Sequence, residues 1–138
     1  MRKGTLVRSA SVLALGLLSG MTMAATTLTV DIEGPGGHSN GDYGNVNSVH
    51  AASRAAMNIE KVVPQAVISH IKGGNSVNSI AADAHFKVML NGKDAKGDTA
   101  KVKEAVMQAC EAENAFRGVK AGQKDADGLG MDVRCSVK

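Results

Sequence analysis

Aromatic residues are nearly missing from this chain: its 138 residues include no tryptophan, one tyrosine and two phenylalanines. That scarcity removes the stacking platforms on which proteins hold single-stranded nucleic acid. It also leaves alanine, valine, isoleucine and methionine to fill the core, with little buried area per residue. A domain built this way is expected to lean on a cross-link or a partner. Catalytic groupings are missing too. The four histidines, His38, His50, His70 and His85, stand on separate segments, and there is no His-Glu-x-x-His, no His-x-Asp feeding a carboxylate pair and no adjacent Glu-Glu. A hydrolytic zinc centre needs such a ligand set, an open position and usually a carboxylate base. Ser39 sits beside His38, but adjacency in sequence does not build a triad. No catalytic residue, no metal and no cofactor is therefore expected.

The one long apolar run lies near the start. Arg2, Lys3 and Arg8 surround or precede it, residues 12–18 form its centre, and Thr22-Met23-Ala24 ends in a small residue suited to signal peptidase. This is the layout of a secretory signal peptide over residues 1–24, too short for a membrane span, with cleavage after Ala24 or Ala25. The expectation is one domain, residues 25–138, periplasmic or secreted and without a stable membrane span. The leader also carries the net charge. The chain is formally +3, yet without Arg2, Lys3 and Arg8 the basic and acidic residues number thirteen each. A basic surface for nucleic acid is thus not expected.

What is present reads as alternating elements. Leu28, Val30 and Ile32 alternate with Thr27, Thr29 and Asp31 as a half-buried strand. From Asn45 the period changes, and Val46, Val49, Ala52 or Ser53, Ala56 and Ile59 mark one face of a helix that runs to about Lys61. After Pro64 a second strand is read through Gln65, Ala66, Val67, Ile68, Ser69, His70 and Ile71. A third is read from Ile80 to Leu90, with Ala84, Phe86, Val88 and Leu90 on one side. Asp98 or Thr99 is placed to cap a second helix with the stripe Val102, Ala105, Val106, Ala109 and Cys110. The polar residues 120–127 are a loop or a short disordered excursion. Leu129, Met131, Val133 and Cys135 then alternate as a last strand.

The order β-α-β-β-α-β predicts an α+β fold, the split βαβ (ferredoxin-like) sandwich, with a four-stranded antiparallel sheet and both helices on one face. Cys110 on the helix stripe and Cys135 on the last strand then point into the same layer. An even cysteine count in an exported chain favours a disulfide between them over two free thiols, and no Cys-x-x-Cys pair is present for redox work. The second strand should lie outermost. Residues 66–71 would then be a flat, apolar edge with no charge or internal proline to protect it, which invites pairing with another chain.

Two glycine-rich corners carry a further signal. Gly34-Pro35-Gly36-Gly37-His38-Ser39 follows the first strand, Asn47-Ser48-Val49 starts the helix, and Gly73-Gly74-Asn75-Ser76-Val77-Asn78-Ser79-Ile80 follows the second strand. The glycines are read as turn geometry, because the Gly-Lys-Ser/Thr ending of a phosphate loop is absent. In order and spacing these motifs resemble the dimerisation (lid) domain of the M20 family of zinc metallopeptidases and amidohydrolases. The resemblance covers residues 27–91 and does not extend to a catalytic domain.

It implies a lid whose partner copy pairs through an edge strand and neighbouring helices. It also implies ligand-binding roles for His38, which matches a His that steadies a substrate oxygen in the partner's active site, and for Asn78, which matches a substrate-contacting Asn. Two departures weaken conventional carboxylate recognition. Ala81 stands where the family usually has Pro, and Asn91 stands where it often has an Arg clamp that Asn cannot replace. The reading is an exported, non-catalytic dimerisation module, a homodimer or the partner of an exported M20-type hydrolase. The alternative is a lid acting in trans on such a hydrolase, or the remnant of one.

Overall fold

The computed structural model describes residues 25–138, and the expected leader, residues 1–24, lies outside them. Strand β1 (Thr26–Glu33) buries Leu28, Val30 and Ile32, as its alternation dictates. Strand β5 (Asp83–Leu90) buries Ala84, Phe86, Val88 and Leu90 and exposes the residues between them. The two run antiparallel side by side, from Thr26 opposite Leu90 to Glu33 opposite Asp83. Strand β3 (Val67–Gly73) borders β5, and the short β6 (Arg134–Val137) borders β1. The sheet order is β3-β5-β1-β6, with every neighbour antiparallel.

Helices α1 (Ser48–Val62) and α2 (Ala95–Phe116) pack on each other and on the apolar face of this sheet. This is the expected α+β split βαβ sandwich. A second, two-stranded sheet joins β2 (Gly37–His38) to β4 (Ser79–Ile80) at one end.

The long third strand is interrupted. Ser79 and Ile80 pair with β2, while the carbonyls of Ala81 and Ala82 accept from the backbone N–H groups of Ser48 and Gly34. Those two bonds pin the chain to the start of α1 and to the glycine corner, so the main-sheet strand begins only at Asp83. Gly36, at φ 69°, is required here: a Cβ would lie 2.8 Å from that of Ala82.

Helix α1 starts at Ser48, because the Asn47 side chain accepts from the N–H groups of Val49 and His50. Its buried face is Ser48, Ala51, Ala52, Ala55 and Ile59, rotated by part of a turn from the expected stripe, of which Val46 just before the helix, Ala52 and Ile59 are buried and Val49 packs against the core. Alanines on several sides of a helix give its periodicity no bulky marker. Helix α2 begins a turn earlier than expected. Asp94 caps it by accepting from Gly97 N–H, and the expected cap Asp98 is instead buried, taking a hydrogen bond from Gln65 Nε2 at 2.9 Å. Its stripe of Val102, Ala105, Val106, Ala109 and Cys110 is buried as read.

The second strand is displaced as well. Gln65 and Ala66 lie in the turn before β3, where Ala66 N–H donates to the Val63 carbonyl, so they are not edge-strand residues. Nor is the edge flat and uncharged. The register shifts between Ser69 and Lys72, His70 takes φ 57°, and Lys72 belongs to the strand. Gly73 lets β3 end tightly, since a Cβ there would come 2.6 Å from Val49 Cγ2 and 2.7 Å from the Asp83 carbonyl.

Residues 120–127 form an ordered loop. Asp125 Oδ1 accepts from the N–H groups of Asp127 and Leu129, and buried Asp132 accepts from Gly122 N–H. Leu129 and Met131 are consequently not strand residues, and Leu129 is exposed. Both backbone groups of Val133 are held by the Asn114 side chain, which seats Val133 in the core just before β6. The expected Cys110–Cys135 disulfide is formed, tying α2 to β6 across a Cα separation of 6.2 Å.

Candidate functional site

The β2–β4 pairing brings the two glycine-rich corners together. His38 lies opposite Ser79, and Ser39 N–H donates to the Asn78 carbonyl at 3.0 Å. The side chains of His38 and Asn78 meet, with Nε2 of the ring 3.2 Å from the Asn78 amide. The other ring nitrogen, Nδ1, accepts from Asn40 N–H at 3.2 Å, which places the proton of the neutral ring on Nε2. Nε2 is then a donor, so the Asn78 carbonyl oxygen should face it and the amide nitrogen should turn to Ser76 Oγ. His38 N–H is fixed in turn by Asp42 Oδ2 at 2.6 Å. The result is an exposed histidine with its donor aimed along the corner, next to an asparagine that can trade that bond for a ligand's. Long-range 15N NMR of the ring should show the Nε2–H tautomer when His38 is neutral. The Nδ1–H form would contradict this hydrogen-bond assignment.

The remaining histidines do not join this corner. His50 contacts Arg117, His70 lies in the β3 irregularity, and His85 stands on the open face of β5. Among the described residues no three histidine, cysteine, aspartate or glutamate side chains are grouped to hold a metal ion. A shallow cavity of about 490 Å³ lies beside the corner, lined by Gly34, Gly36, Gly37, Asp42, Met131 and Arg134 among others. Asn91 follows the end of β5 and supplies no guanidinium there.

In the main sheet β3 is one of the two outermost strands, bonded to β5 on one side only. Of the residues read as the pairing edge, Val67, Ile68, Ser69, His70 and Ile71 lie in it, and Val67 and Ile71 present exposed apolar side chains. α1 packs against β3 and flanks this edge.

One polar cluster has no counterpart in the motif reading. Glu113 of α2 is fully buried and accepts from Asn47 N–H, Arg54 Nε and Arg117 Nε at 3.1, 3.2 and 3.3 Å. It stands three residues beyond Cys110 and seven beyond Val106, so a carboxylate continues the apolar stripe, and that placement is the sequence signal of a buried ion pair. Glu113 also bonds the cap residue of α1, which links the two helices beneath the corner. Replacing Glu113 with Ala should destabilise the domain by about 2 kcal/mol, below the range for a fully buried pair because both arginines reach solvent. Urea unfolding measures this, and an unchanged midpoint would contradict it.

The fold is found within several larger proteins. A hydantoinase/carbamoylase family amidase from Burkholderia ambifaria superposes with a TM-score of 0.59 at 22% identity, over 82% of this chain and 26% of that one. An aminobenzoyl-glutamate utilization protein from Klebsiella pneumoniae gives 0.57 at 19% identity, over 84% and 28%. A tripeptidase from Staphylococcus aureus gives 0.53 at 14%, over 83% and 28%. At such identities the likeness speaks for the fold alone, and the chain spans little more than a quarter of these proteins' length. No curated protein matches it. The sequence model of the peptidase dimerisation domain matches residues 22–117, which is more than half of the chain. With the paired corners and the split βαβ sheet in place, this chain belongs to the M20 peptidase dimerisation-domain family.

Proposed function

We propose that this chain works as an exported, non-catalytic association module, pairing through β3 with a second copy of itself. The observation that carries the proposal is the one-sided edge strand of a dimerisation-family domain, with Val67 and Ile71 exposed along it. An antiparallel partner strand would satisfy the free backbone groups and bring two α1 helices together, in the symmetric closed arrangement favoured by identical chains. The register shift at His70 limits continuous pairing to the stretch around Ile68. The leader expected over residues 1–24 supports export, and the disulfide suits an oxidising compartment.

A second reading rests on the His38–Asn78 corner. In trans, the same edge docks on an M20-type hydrolase and offers the His38 donor to that enzyme's substrate. Light scattering on size-separated protein distinguishes the cases. Wild type should run as a dimer, and the Val67→Lys/Ile71→Lys variant, folded by circular dichroism, should run as a monomer because like charges then face each other across the pair. A variant that stays dimeric would refute the β3 interface.

A further inference from the structure

Buried Glu113 holds two guanidinium groups with one carboxylate, which leaves the cluster with an unbalanced positive charge. Both groups lie against one aromatic ring: the guanidinium carbons of Arg54 and Arg117 are 5.3 and 5.0 Å from the centroid of Phe116. That ring is 67% exposed, unusual in a chain with so few aromatics. Each arginine spends its Nε on Glu113, which fixes the plane of the group and leaves the outer Nη nitrogens for other acceptors. Arg117 Nη2 reaches His50 Nδ1 at 3.3 Å. Arginine only donates, so Nδ1 is the acceptor and His50 carries its proton on Nε2. The outward-facing polar atoms of the cluster are therefore all donors.

Arg117 also borders a cavity of about 170 Å³ walled in part by Tyr43 and Ile80, beside the β2–β4 corner. This is smaller than the roughly 300–1,000 Å³ of a drug-sized pocket, so it suits a small group.

We propose that Arg54 and Arg117 form an anion site beside Phe116 that takes a carboxylate joined to a small apolar group. The planar guanidinium edges match a carboxylate, while the exposed ring of Phe116 takes the apolar part. A structural role for the arginines in neutralising Glu113 requires only their Nε atoms, and with Arg117 Nη2 on His50 it leaves Arg117 Nη1 and both Arg54 Nη nitrogens for another acceptor. The site is independent of the β3 edge, so either proposal can fail alone.

The test is an NMR titration of the 15N-labelled chain, following the arginine Nε–H signals, with benzoate, acetate and inorganic phosphate. Benzoate should shift the Arg54 and Arg117 signals together and saturably, acetate should bind several-fold more weakly, and phosphate should not outcompete benzoate. Arg117→Gln should weaken benzoate binding by about tenfold, the loss of one charge-assisted hydrogen bond. Because that variant also loosens Glu113, Phe116→Leu provides a second test on an exposed residue, and it should bring benzoate down to the level of acetate. Shifts that stay linear with benzoate would overturn the proposal. So would tighter binding of phosphate, or benzoate affinity unchanged in either variant.

Discussion

Truncating Phe86 to Ala should cost the domain about 4 kcal/mol, within the range for removing a fully buried phenylalanine. Phe86 is fully buried in the middle of β5, between Ala84 and Val88 on the face covered by the helices. Of the three aromatic residues it alone lies in the core, since Tyr43 and Phe116 are exposed. The core it belongs to is rich in alanine, Ala51, Ala55, Ala105 and Ala109 among them, and such short side chains fill little of the space it would leave. A domain of this size has about 5–15 kcal/mol to lose, so the variant should sit near the threshold of folding. Urea unfolding should show the midpoint falling by roughly 2–3 M at a slope near 1.5 kcal/mol/M. A fall well under 1 M would mean that the alanine-rich layers repack around the gap.

Reducing the Cys110–Cys135 disulfide should cost about 3.5 kcal/mol, the loop-closure entropy of a 25-residue separation. The loss should be felt most at β6, a four-residue strand that borders only β1 and is anchored to α2 by this bond. Equilibrium unfolding with and without reductant measures the difference. Mass before and after alkylation checks the bond itself, and two thiols that alkylate in protein prepared without reductant would contradict it.

Parts of this structure were legible because a single physical rule governed them. In β1 and β5 one face is buried and the other wet, so Leu28, Val30, Ile32 and Phe86 announce their side by alternation alone. The α2 stripe was equally plain, as valines and a cysteine recur at helical spacing. In α1 the buried face is mostly alanine, and alanines also occupy its flank, so the pattern finds Val46, Ala52 and Ile59 but sets the centre of the face part of a turn away. The break after Ile80 depends on backbone carbonyls captured by Ser48 and Gly34, partners remote in sequence that no local pattern reveals. The irregularity in β3 turns on a histidine with positive φ, a conformation in which histidine is enriched but which so few histidines adopt that residue type alone does not reveal it.

The candidate corner was half legible. The glycines, His38 and Asn78 are visible as motifs and the fold brings His38 and Asn78 into contact, whereas Arg54 and Arg117 meet at Glu113 only through the packing of α1 on α2, which no local pattern shows. A charged residue on an apolar stripe is the sign that points to it.

A core this poor in aromatic area gains from any surface that a partner covers, and β3 is an open edge that carries the exposed apolar side chains of Val67 and Ile71. The most direct test is amide hydrogen exchange as a function of protein concentration. Pairing through β3 predicts that amides within Val67–Gly73 that face away from β5 become protected as concentration rises, while those of β6, at the opposite edge, stay unchanged. Exchange in β3 that is independent of concentration, or protection that grows at β6 instead, would contradict association through this edge.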